Sequence, residues 1–149
     1  MTARRTAFSL IEAIVIVMIL GALAFIAVPR LNFGALYRKQ ADTVARKIVT
    51  DLRRTRTLAI SNAAANPTGY TLRISGSTCL IINDANGATV DSLAIDSHIS
   101  CGGGTEFRFG PLGNLRTAGT PLTVSDVDES RTYTITVIPG TGIVQCTGG

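Results

Sequence analysis

Side chains able to do chemistry are few in this chain and widely scattered. His98 is the only histidine. It follows Asp96 and Ser97, the other two residue types of a charge-relay triad, but adjacent residues on an extended chain point to opposite faces and do not share a proton path. A lone histidine near a turn therefore reads as structural. Asp126, Asp128 and Glu129 bring carboxylates close together in sequence, yet their spacing fits a solvated turn better than a calcium loop. Gly102, Gly103 and Gly104 lack the lysine and following helix of a phosphate loop, so they read as a flexible turn. No catalytic, cofactor-binding or metal-ligating set emerges, and a chain that is not an enzyme and needs no cofactor is expected.

The three cysteines, Cys79, Cys101 and Cys146, match no zinc or redox spacing. In an exported domain they would give one disulfide and one remaining thiol. Cys79 with Cys101 is the favoured pairing, and Cys146 is the alternative partner.

Glu12 is the more telling acid. It is the only charge in Phe8 to Val28, an apolar run of 21 residues. At about 1.5 Å per helical residue such a run matches a hydrocarbon core ~30 Å thick, so a transmembrane helix is expected over 8–28. An acid in that setting usually has a partner or a task. Arg4 and Arg5 in the short polar leader 1–7 favour a cytoplasmic N-terminus. A secretory signal is the rival, with a small-x-small cut site at Ala22 to Ala24, but the apolar run is long for one and contains an acid.

The rest of the chain must hold this stretch in place. Pro29 removes an amide and should kink or loosen the helix. Beyond it, Tyr37, Ala41, Val44, Ile48, Leu52, Thr55 and Ala59 recur in steps of four and three, with Val49 and Leu58 nearby. An amphipathic helix over 29–65 follows, stopped by Asn66, Pro67 and Gly69. Its other faces are basic: residues 29–60 carry eight basic side chains against two acidic, whereas 61–149 carry four against seven. From Gly69 the period becomes two, and 70–74, 78–82, 89–95, 106–109, 122–125, 132–138 and 142–146 read as strands between Gly, Asn and Pro turns. An α+β fold is expected, with one long N-terminal helix, half transmembrane and half amphipathic, packed against an antiparallel β-sheet domain at 66–149.

A basic leader ending in a small residue, then Phe8, Ser9, Leu10, Ile11, Glu12 and a long apolar helix, resembles the prepilin signal of type IV pilins and type II secretion pseudopilins. Phe109, Pro111 and Gly113 in F-x-P-x-G, Thr141 and Gly142 in the last hairpin, and Asp51, Leu52, Arg53, Ala59 and Ile60 on the helix narrow the likeness. They resemble the general secretion pathway protein H and type IV fimbrial biogenesis protein T family of minor pseudopilins.

The resemblance implies a pilin-like fold, cleavage by prepilin peptidase between Ala7 and Phe8, N-methylation of Phe8, and a kink or loss of helical structure between Gly21 and Pro29. Ala7 stands where the family usually has Gly, and as the next smallest side chain it should still be processed. The new amino group, set against Glu12 of a neighbouring chain, would guide filament assembly. The implied partners are other pilins or pseudopilins, prepilin peptidase, an inner-membrane assembly platform and membrane lipid before assembly. The implied location is the bacterial inner membrane, single-pass with the C-terminal domain periplasmic, and then the filament. Glu12 argues for a position below the extreme tip. A nucleic-acid-binding minor pilin for natural transformation is the alternative; the absence of Lys and Arg after Arg131 and the acidic distal domain count against it.

Overall fold

Two helices and eight strands make up the computed structural model, which describes residues 10–27, 33–126 and 131–148. Helix α1 is Leu10–Ala27 and α2 is Phe33–Ser61. The strands are β1 Tyr70–Ser75, β2 Thr78–Asn83, β3 Thr89–Ala94, β4 Ile99–Gly103, β5 Glu106–Phe109, β6 Leu122–Asp126, β7 Thr132–Val137 and β8 Val144–Gly148. The chain divides into two units, 1–34 and 35–149.

This corrects the expected single long N-terminal helix. The described helical residues fall in two separate helices, Leu10–Ala27 and Phe33–Ser61. Helix α1 is continuous through Gly21, and Pro29 lies outside the described residues. Among the described residues no helix is long and apolar enough to cross a membrane, so the single-pass inner-membrane placement is corrected as well.

The second unit is built on one stripe of α2. Ala41, Ala45, Ile48, Val49, Leu52, Thr55 and Ala59 are buried, in steps of three and four broken once by the adjacent pair Ile48 and Val49, and Val44 and Leu58 pack partly against the same core. Thr55 sits within this stripe without loss because its Oγ1 donates to the Asp51 carbonyl at 2.6 Å. After Ser61 the chain turns at Asn66, which is buried. Its Nδ2 donates to the Gly69 carbonyl and to Asn83 Oδ1, both at 2.7 Å, while its Oδ1 accepts from the Gly69 amide at 3.0 Å.

The strands form two four-stranded antiparallel sheets. The first has the order β3-β2-β1-β5 and the second β4-β6-β7-β8. Alternation gives each one buried face. In the first, Leu72 stands opposite both Ile81 and Phe107, and all three are buried. In the second, Leu122 faces Ile135 and Val124 faces Tyr133, again all buried. Strand β4 departs from expectation, since its glycines read as a turn. Gly102 lies opposite Thr123 with little room for a side chain, for a Cβ at this position would come within 3.0 Å of Thr123 Oγ1.

Leu52→Ala removes the branched end of a fully buried side chain in the α2 stripe. Such truncations cost about 2–5 kcal/mol. The expected outcome is a marked fall in the urea midpoint with an unchanged slope, measured by circular dichroism.

Candidate functional site

Among the residues expected to carry function, Ala7 and Phe8 lie outside the described residues, and Glu12 lies in the first turn of α1. An acid there suits the partial positive charge of a helix N-terminus. Every described side chain of α1 from Leu10 to Phe25 is exposed, with Leu10 at 79% and Phe25 at 85%. Ile11, Ile14, Val15, Val17, Met18, Ile19 and Leu23 point in all directions around the axis. A helix apolar on every face does not rest against one sheet; it needs apolar surroundings on all sides. Glu12 forms no ion pair among the described residues.

The two turn motifs, far apart in sequence, meet at the end of α2. Phe109 ends β5 fully buried and pairs with Leu115 across the loop. Between them Gly110 to Gly113 form a β-turn, closed by the Gly113 amide donating to the Gly110 carbonyl at 2.8 Å, with Pro111 in the position that its fixed φ favours. Leu112 at its tip is 87% exposed. The β7–β8 turn carries Thr141 and Gly142, and the Gly142 amide donates to the Ile138 carbonyl at 2.7 Å. Gly142 has φ +65, and a Cβ on it would collide with the Gly113 carbonyl oxygen. Arg56 of α2 completes the junction: its Nε donates to that same Gly113 oxygen at 3.1 Å. Sequence reasoning missed Arg56, which looked like one more charge on a basic face. The i, i+4 step from Arg56 to Ile60, whose side chain also lies against Gly113, is the only signal that pointed toward it.

Asp96, Ser97 and His98 lie in an exposed turn, where Asp96 Oδ1 accepts from the His98 backbone amide at 3.0 Å. Asp126 is buried in β6, while Asp128 and Glu129 lie outside the described residues. No cluster of three metal-ligating side chains occurs among the described residues.

A groove of about 490 Å³ runs between α2 and the β2–β3 side of the first sheet, lined by Thr43, Arg46, Lys47, Asp51, Cys79 and Asp91 among others. Arg54 pairs with Asp91, and Arg46 with Asp42 at 2.9 Å. Burial holds the Asp51 carboxyl above the usual carboxylate range, and the Asp91 charge adds to this against Arg54 and Lys47. Burial, then the Asp51 charge and least the neighbouring Cys101, pushes the Cys79 thiol from 9.0 up to about 12. Burial raises Cys101 too. A thiol held so firmly protonated is not a nucleophile. The three cysteines are free, Cys79 buried, Cys101 half-buried and Cys146 exposed, so the expected Cys79–Cys101 bond is not formed here.

Gly142→Ala places a methyl group against the Gly113 oxygen at a positive φ. The expected loss is about 1–3 kcal/mol or more, read as a lowered urea midpoint, whereas Gly140→Ala, in open space, should change little. The Cys79 shift also sets a pH dependence. In the unfolded chain this thiol ionises near 9.0, while the native one keeps its proton to about 12, so above 9 the unfolded state binds fewer protons. Its stabilising contribution is complete below pH 9 and is lost progressively as pH rises toward 12. Cys79→Ala should therefore make the alkaline decline in stability shallower, as seen in urea midpoints measured across that range.

No family model, curated protein or solved structure matches this chain.

Proposed function

We propose that this chain is a structural subunit of a type IV pilin-like filament, a minor pilin or pseudopilin of a type IV pilus or type II secretion pseudopilus, acting by contacts rather than by reaction. The observation that carries this reading is α1, whose described side chains are apolar and exposed all the way round, with a single acid, Glu12, in its first turn. Neighbouring copies of the same helix, and those of related subunits, supply the apolar surface that it requires.

Packing α1 into such a bundle leaves the Glu12 carboxylate needing a cation, because an uncompensated charge in an apolar interior is strongly unfavourable. Cleavage between Ala7 and Phe8 by prepilin peptidase would create one. The new α-amino group has a reference pKa of about 7.7–8.0. Axial displacement of one chain against the next sets that amine, methylated or not, beside the Glu12 of its neighbour. The β-sheet unit then decorates the filament through surfaces such as the exposed Leu112 turn.

Glu12→Leu is the test. The variant should fold and accumulate normally, yet its recovery in filaments sheared from cells should fall by about an order of magnitude or more, on immunoblots normalised to total protein. Recovery equal to the unsubstituted chain would overturn the reading.

A further inference from the structure

Among the described residues of the second unit, four of the five large apolar side chains left exposed gather at one end. They are Ile60, Leu112, Ile138 and Ile143, and the fifth, Val90, stands apart on β3. Backbone contacts bring the four together. Ile60 lies against Gly113, next to Leu112, and a Cβ on Gly142, next to Ile143, would collide with the Gly113 oxygen. The Ile138 amide donates to the Ile143 carbonyl at 2.9 Å across the base of the same turn. Both turns protrude, since Leu112 is 87% exposed and a Cβ on Gly140 would meet nothing within 4 Å.

Charge at this end has one sign. The segments that build it, 52–69, 107–121 and 137–144, contain no Asp and no Glu. Arg116 is exposed at the base of the 110–113 turn, where its Nη1 donates to the Thr68 carbonyl at 3.4 Å. Arg53, also exposed, precedes Ile60 by seven residues and so shares its face of α2, two turns back. Arg56 lies between them and donates to the Gly113 carbonyl.

We propose that this end of the second unit docks on an anionic lipid surface, with Leu112, Ile143 and Ile60 entering the boundary between headgroups and acyl chains and Arg53 and Arg116 meeting the phosphates. Apolar side chains gathered on a surface mark a place of interaction, and the signs of charge choose the partner. A negatively charged leaflet attracts each cation held near it and repels carboxylates, which this end lacks. Apolar tips among cations are also what an interfacial anchor requires, since the tips leave water while the charged heads stay in it. Protein interfaces are anchored mainly by Trp, Tyr and Arg and seldom by Leu, whereas the apolar part here is wholly aliphatic. Lipid also moulds itself to protruding turns, which a protein partner would have to match with a cavity. The inference goes beyond the filament reading and does not rest on it: the free chain meets lipid with a turn that an assembled one presents to neighbouring protein.

The chain has no tryptophan, so Leu112→Trp puts a single reporter on the turn and leaves α1 silent. The full chain is diluted from mild detergent onto vesicles of phosphatidylcholine alone, or of phosphatidylcholine and phosphatidylglycerol in equal parts, with acyl chains brominated to quench tryptophan on contact. On the anionic vesicles emission should shift to the blue and be quenched at least about fivefold more than on the neutral ones. Val90→Trp, on the far edge of the first sheet, should stay unquenched on both. Adding Arg53→Glu and Arg116→Glu to Leu112→Trp should cut the quenching by about tenfold. Equal quenching on the two vesicles, none on either, equal quenching of the two reporters, or no loss on charge reversal would overturn the proposal. So would a blue shift that grows with protein concentration and resists brominated lipid, because it sets the turn against protein. Circular dichroism verifies that each variant keeps its fold.

Discussion

The second unit depends on burying one stripe of α2. Small residues, Ala41, Ala45 and Ala59, flank Ile48 and Leu52 there, and all five are completely buried. Such a stripe brings the helix close to surrounding side chains at its ends and fills space at its middle. The same helix then fixes both sheets' loops at its far end, where Arg56 and Ile60 meet Gly113 and, through it, Gly142. A single helix thus sets the core and the junction of the two turn motifs.

The stripe itself was legible in sequence, because a period near 3.6 held over about five turns is the signature of a helix with one buried face. Seven of the eight strands were too, because period-two runs between Gly, Asn and Pro turns are equally distinctive. Strand β4 was not. Ile99, Ser100, Cys101, Gly102 and Gly103 alternate poorly, and glycine normally argues against a strand. Pairing with β6 overrode that local preference, as tertiary context often does in sheets. The division into two sheets was hidden for a related reason: sequence shows which runs are extended, but not which of them exchange hydrogen bonds.

The junction of the turns was half legible. F-x-P-x-G and T-G each announce a turn, since proline presets one φ and glycine accepts a positive one. Nothing in either motif says that the two touch. Their meeting depends on a missing Cβ at Gly142, which leaves room for the Gly113 oxygen, and on a guanidinium that arrives from α2. At the other end of the chain the apolar run was obvious, and the described part of it, Leu10–Ala27, is helical.

Charge shows most clearly how far composition misleads. The segment 29–60 looks strongly basic when its residues are counted, and polyanion binding would be a natural inference. In the folded chain Asp42 lies against Arg46, Asp91 against Arg54, and Arg56 is turned to the Gly113 carbonyl. Exposed pairs of this kind add little stability, about 0–1 kcal/mol each, but they do cancel charge. Among the described residues of α2, Lys39, Lys47 and Arg53 are then the exposed cations outside an ion pair. Counting charged residues in the sequence therefore overstates the positive charge that this described surface presents.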